Sequence, residues 1–339
     1  MTVPIGFRST RFEAVPKGVP PLSATNAFDG VKWIWMNGRQ VEFDKAQVHV
    51  LSHGLHYGSG VFEGIRCYRT PEGPAIFRLE EHLERFENSF KIYRGEIPYS
   101  RKELTEATCE IIQANGFDEC YIRPLAFRGL GTLGVYPLNC PIDVTIAVWP
   151  WGSYLGEDGI RNGVDVCVSS WRRAAPGTIP TLSKATGNYL SSQLMKMEAM
   201  ANGYAEGIAL DVEGLVSEGS GENLFAVVNG VLVTPPLTAS ILPGITRRTV
   251  VRLAADLGID VVRERMPREM LYTCDELFFC GTAAEVTPIR SVDRIPVGDG
   301  RPGPVTARIR DEYLGVVTGR IEDRHGWLTR VRAESAMPV

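Results

Sequence analysis

Apolar and polar positions alternate through WIWMNGRQVEF, inside residues 32–50, on both sides of an Asn-Gly pair. Period-two patterning about such a pair predicts an antiparallel hairpin with a tight turn. HGLHYGSGVFEGIRCYRTPEGPAIFRL then reads as a strand, a Gly-rich loop, and further strands about a Pro-Glu-Gly turn. At Leu79 the period changes. Leu79, Leu83, Phe86 and Phe90 recur at helical spacing, and Leu104, Ala107, Ile111 and Ile112 repeat the pattern within 101–114. ECYIRPLAFRG and IDVTIAVWPW return to strand, so residues 27–150 read as a small N-terminal α/β sandwich domain.

Residues 151–162, WGSYLGEDGIRN, are Gly-rich and polar and read as an interdomain connection. Beyond it GVDVCVSSW is a predicted strand, the stretch after Lys184 a helix, and EGIALD another strand. NLFAVVNGVLVTPP is a hairpin about a second Asn-Gly turn. GITRRTVVRLAADLG is a helix with Pro-Gly before it and Gly258 at its C-terminal stop. DELFFCGTAAEVTPIRSVD reads as strand, small-residue loop, strand. Residues 163–339 thus make a second, larger α/β domain, and the expected site lies at the junction of the two.

A length of 339 residues agrees with two domains. The formal net charge of -4 argues against a nucleic-acid footprint, which shows clustered basic residues. No apolar run approaches the roughly 18 residues of a membrane span. Seven cysteines without a CxxC pair, beside five histidines, fit reduced and mostly buried thiols rather than disulfides or a metal site. The N-terminus lacks an apolar signal region and residues 1–26 are Pro-rich, so an irregular arm and a cytoplasmic location are expected.

Four groups of residues carry candidate chemistry. Lys184 sits among small residues in SKATGNYL, with Tyr189 five positions on; desolvation or a nearby cation would make its amine a nucleophile. In DVEGLVSEGSGENLF, Glu218 lies among glycines where a carboxylate could be held against a ring nitrogen, and Glu222 competes on spacing alone. LPGITRR opens a helix, and the N–H groups of Ile245 and Thr246, with the Thr246 hydroxyl, suit a phosphate. CGTAAE offers the Thr282 hydroxyl and the N–H groups of Thr282, Ala283 and Ala284 as a second cup. Arg85 lies beside the apolar stripe of EEHLERFENSF, and Arg123 lies mid-strand in YIRPL; each is an anion ligand or an ordinary ion pair. No GxxxxGK[ST] loop and no GxGxxG after a strand is present, which disfavours nucleotide binding and a nicotinamide oxidoreductase.

Taken together, HYGSGVFEGIRCY, EEHLERF, YIRPL, PTLSKATGNYLSS, SEGSGENLF, LPGITR and GTAAEVTPIRSVD resemble, in order, the motifs of the fold-type IV pyridoxal-phosphate (PLP) enzymes, specifically the branched-chain amino-acid aminotransferases. The resemblance covers nearly all of residues 32–330 and leaves out residues 1–26. It implies an α/β (α+β) fold with a small N-terminal sandwich and a larger C-terminal pseudo-barrel domain. It implies that Lys184 holds PLP covalently and moves a proton between substrate α-carbon and cofactor. Glu218 would pair with the pyridine nitrogen and Tyr189 with the phenolate oxygen, while Arg85, Ile245, Thr246 and Thr282 hold the phosphate.

On the substrate side the resemblance implies Phe62, Tyr57, Trp151, Tyr154 and Tyr189 around an apolar side chain, with Val135 supplied by a neighbouring subunit. Arg123 would take the distal carboxylate of glutamate; Tyr121 and the N–H groups of Ala283 and Ala284 would take the α-carboxylate. The implied reaction passes the amino group of L-leucine, L-isoleucine or L-valine to 2-oxoglutarate, with ping-pong kinetics. The implied assembly is a homo-oligomer, dimer or hexamer, with the site shared across the subunit interface. The rivals within the fold are a D-amino-acid or (R)-amine transaminase and an aminodeoxychorismate lyase; a non-catalytic binding protein is the rival of another class.

Overall fold

The computed structural model describes residues 28–331 apart from Ser153; the arm read from residues 1–26 lies outside them. The first half contributes β1 (Trp33–Met36), β2 (Arg39–Glu42), α1 (His53–Tyr57), β3 (Val61–Phe62), β4 (Ile65–Thr70), β5 (Gly73–Phe77), α2 (Leu79–Ile92), α3 (Arg101–Asn115), β6 (Cys120–Arg128) and β7 (Ile142–Trp149). Asn37 and Gly38 turn β1 into β2 at φ 50° and 85°, as the Asn-Gly pair predicts. The alternation stops at Glu42, however, and Phe43–Lys45 is a 3-10 turn, so the hairpin is shorter than 32–50.

The expected strand at the start of HGLHYGSG is instead α1, one helical turn closed by Gly58 at φ 65°. Gly54 lets that turn lie on β6, since a Cβ there would stand 3.2 Å from Phe127 Cβ and 3.3 Å from the Arg128 carbonyl oxygen. The rest of the first-half pattern is realised. Strands order β5-β4-β6-β7-β1-β2, with β3 on β6, and all pairings are antiparallel. α2 and α3 cover the sheet with the predicted stripe: Leu83, Phe86, Phe90, Leu104 and Ile111 are all fully buried. Each such side chain contributes on the order of 1.5–3 kcal/mol by leaving water.

The second half supplies α4 (Glu157–Asn162), β8 (Val164–Arg172), α5 (Tyr189–Ala201), β9 (Glu206–Leu210), β10 (Val216–Gly219), β11 (Asn223–Val228), β12 (Val231–Thr234), α6 (Ile245–Asp256) and β13 (Val261–Arg263). It continues with α7 (Met270–Thr273), β14 (Glu276–Gly281), β15 (Glu285–Val292), β16 (Ile295–Pro296), α8 (Pro304–Val317) and β17 (Leu328–Arg330). The second sheet runs β10-β9-β8-β15-β14-β11-β12-β13. β10 is its edge and β11 lies five places along, yet only Ser220–Glu222 join them in sequence. A three-residue link cannot cross a flat sheet of strands about 4.8 Å apart, so the sheet curls into a half-barrel.

The two sheets share one body. β17 crosses back to pair antiparallel with β5, giving the first sheet an edge strand from the far end of the chain. Tyr68 and Phe77 of the first sheet pack with Phe225, Phe278 and Tyr313 of the second half. The seven cysteines are all free, and only Cys109 is not buried.

Candidate active site

Lys184 is fixed by its backbone before its amine does anything. Its N–H donates to Ser89 Oγ of α2 at 3.0 Å, and its carbonyl accepts from Phe62 N–H at 3.0 Å. Ser183 Oγ donates to the Ser89 carbonyl at 2.9 Å, and Ala185 bridges to Val61. The segment is therefore an extra extended strip against β3. A 3-10 turn at Thr186–Asn188 then reverses the chain into α5. The reversal brings Tyr189 back over Lys184, so that Nζ donates to Tyr189 Oη at 2.7 Å. Phe62 closes the other side, its ring centroid 4.8 Å from that of Tyr189 and 5.0 Å from Nζ.

Glu218, at the end of β10, is buried in the same cavity. Its Oε2 accepts from Asn223 Nδ2 at 2.9 Å and Leu242 N–H at 3.0 Å, and Arg173 Nη2 lies 2.8 Å from Oε1. Burial pushes the carboxyl's pKa up, opposed by Arg173 and by the Leu242 N–H. Glu222 also lines the cavity, accepting from Gly221 N–H at 3.0 Å. Among the described residues it has no such ion pair: Lys196 is bound to Glu206 at 3.0 Å, and burial with the Glu206 charge raises Glu222 to about 8. The two carboxylates that spacing left in competition are separated by Arg173.

The part of the cavity beyond Leu242 is built for an anion. α6 begins at Gly244 with no side-chain cap, and the Ile245 and Thr246 N–H groups have no partner among the described residues. Gly244 is required there, because a Cβ would stand 1.9 Å from Asn223 Oδ1. The Thr282 and Ala283 N–H groups, in the turn between β14 and β15, are likewise unpaired among the described residues. Arg85 reaches in from α2, donating through Nε and Nη2 to Glu63 at 2.7 and 2.8 Å and through Nη1 to the Pro243 carbonyl at 3.1 Å. Burial would lower the Arg85 pKa, but Glu63 outweighs it and raises it.

An aromatic wall faces these groups. Arg123 lies with its guanidinium carbon 4.8 Å from the Phe62 centroid and 5.3 Å from that of Tyr121, and its buried Nε has no partner among the described residues. Tyr121 stacks on Trp151 at 4.8 Å. Gly64 admits the Tyr121 hydroxyl, which would stand 1.9 Å from a Cβ at that position.

Of the residues singled out from sequence, Phe62, Arg85, Tyr121, Arg123, Tyr154 and Lys184 line this one cleft, joined by Tyr189, Glu218, Ile245, Thr246, Thr282 and Ala283. The cleft measures about 1000 Å³ out to bulk solvent. Tyr57, Val135, Trp151 and Ala284 do not line it. Trp151 stands behind Tyr121, and Ala284 is buried under its own turn. Tyr57 ends α1 on the outside, 47% exposed, stacked on His53; that histidine's Nε2 lies 2.9 Å from the Gly134 carbonyl, next to Val135, which is 89% exposed. Sequence reasoning missed Arg173, Glu63, Asn223 and Ser89. Only Glu63 left a trace, as a charge inside the apolar run VFEGIRCY.

This arrangement of amine, cation-backed carboxylate and anion cup at the mouth of a curled sheet is that of the class IV aminotransferases. The family model described as Amino-transferase class IV matches residues 60–292, and the chain belongs to that family. It is 55% identical over 300 residues to the branched-chain-amino-acid aminotransferase of Escherichia coli (strain K12), covering 88% of this chain and 97% of that one. Among solved structures it is similar to a crystal structure of the Escherichia coli branched-chain amino acid aminotransferase, at 54% identity and a TM-score of 0.88, covering 89% of this chain and 100% of that one. The PLP form of the Thermobaculum terrenum branched-chain amino acid aminotransferase matches with a TM-score of 0.84 at 37% identity, covering 91% of this chain and 100% of that one.

Proposed function

We infer that the protein is a PLP-dependent branched-chain amino-acid aminotransferase, passing the amino group of L-leucine, L-isoleucine or L-valine to 2-oxoglutarate to give the 2-oxo acid and L-glutamate. The observation that carries the reading is Arg123. A cation whose Nε has no partner among the described residues sits in an aromatic wall, in the same cleft as the Lys184–Tyr189 pair. One surface then serves an aliphatic side chain and the distal carboxylate of glutamate, which is what glutamate-coupled transamination demands. The 55% identity to a branched-chain-amino-acid aminotransferase supports the same choice.

The chain's own groups suit the cofactor: a half-buried amine, a buried carboxylate with a cation behind it, and an uncapped helix N-terminus facing an arginine. When bound, PLP supplies the electron sink for charge left on the substrate α-carbon. Lys184 would anchor the cofactor, and its Nζ would take and return the substrate α-carbon proton. Tyr189 orients Nζ through the 2.7 Å contact. Glu218, with the Arg173 cation 2.8 Å behind it, would hold a proton on the pyridine nitrogen. Ile245, Thr246, Thr282 and Arg85 would bind the phosphate through N–H and hydroxyl donors. Tyr121 with the Ala283 and Ala284 N–H groups receives the α-carboxylate, and Phe62, Tyr154 and Tyr189 shape the apolar side.

Two domains, 27–150 and 163–339 with 151–162 between them, are part of the same reading, the cleft lying at their junction. So is a homo-oligomer. Val50, Leu55, Leu133, Val135 and Tyr136 are exposed apolar residues near Tyr57, and a second copy would cover them and receive Tyr57 and Val135 at its own cleft. The free thiols support a cytoplasmic location; among the described residues no helix is long and apolar enough to cross a membrane.

The test is a substrate panel on purified protein: L-leucine, D-alanine and (R)-1-phenylethylamine, each with 2-oxoglutarate or pyruvate. L-Leucine with 2-oxoglutarate is expected to turn over, and Lys184→Ala to abolish both turnover and the visible absorbance of the bound cofactor. Turnover of D-alanine or the amine without L-leucine would replace this reading by a D-amino-acid or (R)-amine transaminase.

A further inference from the structure

The mechanism above makes no use of one fully buried carboxylate that grips a cleft residue. Glu63, between β3 and β4, has no exposed surface and lies behind the cleft lining, yet its carboxylate takes four hydrogen-bond contacts. Oε1 accepts from Arg85 Nε at 2.7 Å; Oε2 accepts from Arg85 Nη2 at 2.8 Å and from Gly64 N–H at 3.3 Å. His82 Nδ1 lies 2.7 Å from the same Oε2. His82 and Arg85 are three residues apart on α2, so both reach one acceptor from a single helix face.

We propose that Glu63 is a positioning residue that aims Arg85 at the phosphate end of the cleft. A guanidinium has five N–H donors in a rigid fork. Two of them are clamped by Glu63 and a third is taken by the Pro243 carbonyl at 3.1 Å, so two remain, one on each terminal nitrogen. The clamp is side-on and bidentate, which fixes the plane of the guanidinium as well as its place. The Nη1 bond to Pro243 also ties α2 to the loop leading into α6, whose N-terminus forms the other side of the cup. Arg78 at the start of α2 reinforces that link by donating to Thr249 Oγ1 at 2.8 Å.

The charges around the clamp agree with this role. Burial alone would raise the Glu63 pKa, but Arg85 and His82 hold it well below the usual carboxylate range. Burial lowers His82 despite Glu63, so the imidazole is neutral and gives its Nδ1 hydrogen to Oε2. Lys184 also acts on His82, and Tyr189, Tyr121 and the Arg248 guanidinium of α6 act on Arg85. Glu63 therefore cancels the Arg85 charge while fixing its direction. These two effects oppose each other for an incoming anion, and that opposition makes the proposal testable.

The inference rests on Arg85 serving as a phosphate ligand, so the experiment tests that first. Full-length protein freed of cofactor is titrated with PLP and, separately, with inorganic phosphate as a competitor. Arg85→Met is expected to weaken both; unchanged binding in that variant removes the phosphate reading itself. Glu63→Gln is then expected to weaken PLP at least tenfold and phosphate with it, with kcat at saturating PLP changing less than the affinity. If Glu63 only neutralises charge, Glu63→Gln binds phosphate as tightly as wild type or more tightly, and the proposal fails. Glu63→Asp decides the case if the Gln variant does not fold, because it keeps the charge and withdraws the fork. Weaker PLP binding in the Asp variant supports aiming; wild-type affinity in it overturns the proposal.

Discussion

Replacing Arg173 with Met removes the cation behind Glu218 and leaves the carboxylate buried with two neutral donors, Asn223 Nδ2 at 2.9 Å and Leu242 N–H at 3.0 Å. Unit charges at the observed 2.8 Å attract by about 6 kcal/mol at an effective dielectric of about 20, much of it offset by desolvation. Breaking one side of a buried pair typically costs about 3–5 kcal/mol. The cost here depends on pH in a definite direction. Burial already pushes Glu218 above its ordinary value of 4.5, and loss of Arg173 pushes it further. Between the unfolded and folded pKa values the native state binds more protons than the unfolded state, so native stability falls as pH rises. Relative to wild type, Arg173→Met is expected to lose least near pH 5. The deficit should grow by up to about 1.4 kcal/mol per pH unit until Glu218 ionises in the folded variant. Urea unfolding of both cofactor-free proteins at several pH values between 5 and 8 reads this difference directly. A constant offset between the two pH profiles would refute the claim that Arg173 opposes the burial-driven rise of the Glu218 pKa.

Three further outcomes follow from the same geometry. Arg123→Met should raise KM for 2-oxoglutarate by about 10- to 100-fold, the equivalent of a charged hydrogen bond of about 1.5–3 kcal/mol, while the L-leucine half-reaction measured in single turnover stays near wild type; equal loss in both would contradict the assignment. Glu222, raised to about 8, costs native stability progressively as pH rises from its ordinary 4.5 toward that value. Glu222→Gln should therefore flatten the fall in stability over that range, and a profile parallel to wild type would count against it. Gly244→Ala places a methyl 1.9 Å from Asn223 Oδ1. It should weaken PLP binding in an equilibrium titration while the cofactor-free protein remains folded by circular dichroism; unaltered affinity would show that the α6 N-terminus does not shape the cup.

Much of the fold was legible because its causes are local. The stripes of α2 and α3 and the Asn-Gly turns at 37–38 and 229–230 are set by neighbours a few residues apart. The one-turn helix α1 was misread because five residues are too few for a helical period to show. The place of β17 beside β5 could not be read, since the pairing spans some 250 residues and neither strand's composition names the other.

The site divides in the same way. Lys184, Glu218 and the small-residue loops stand in compact strings whose chemistry can be recognised in isolation. Arg173 is invisible there and Glu63 shows only as a charge in an apolar run, because their meaning lies in partners 45 and 22 positions away. Sequence determined the inventory: an amine, two rival carboxylates, a helix start and two unassigned arginines. Tertiary structure decided which carboxylate receives a cation, which way the amine turns, and that Tyr57 faces outward. Period and composition encode short-range energetics, whereas a buried charge is defined by whatever the fold sets against it.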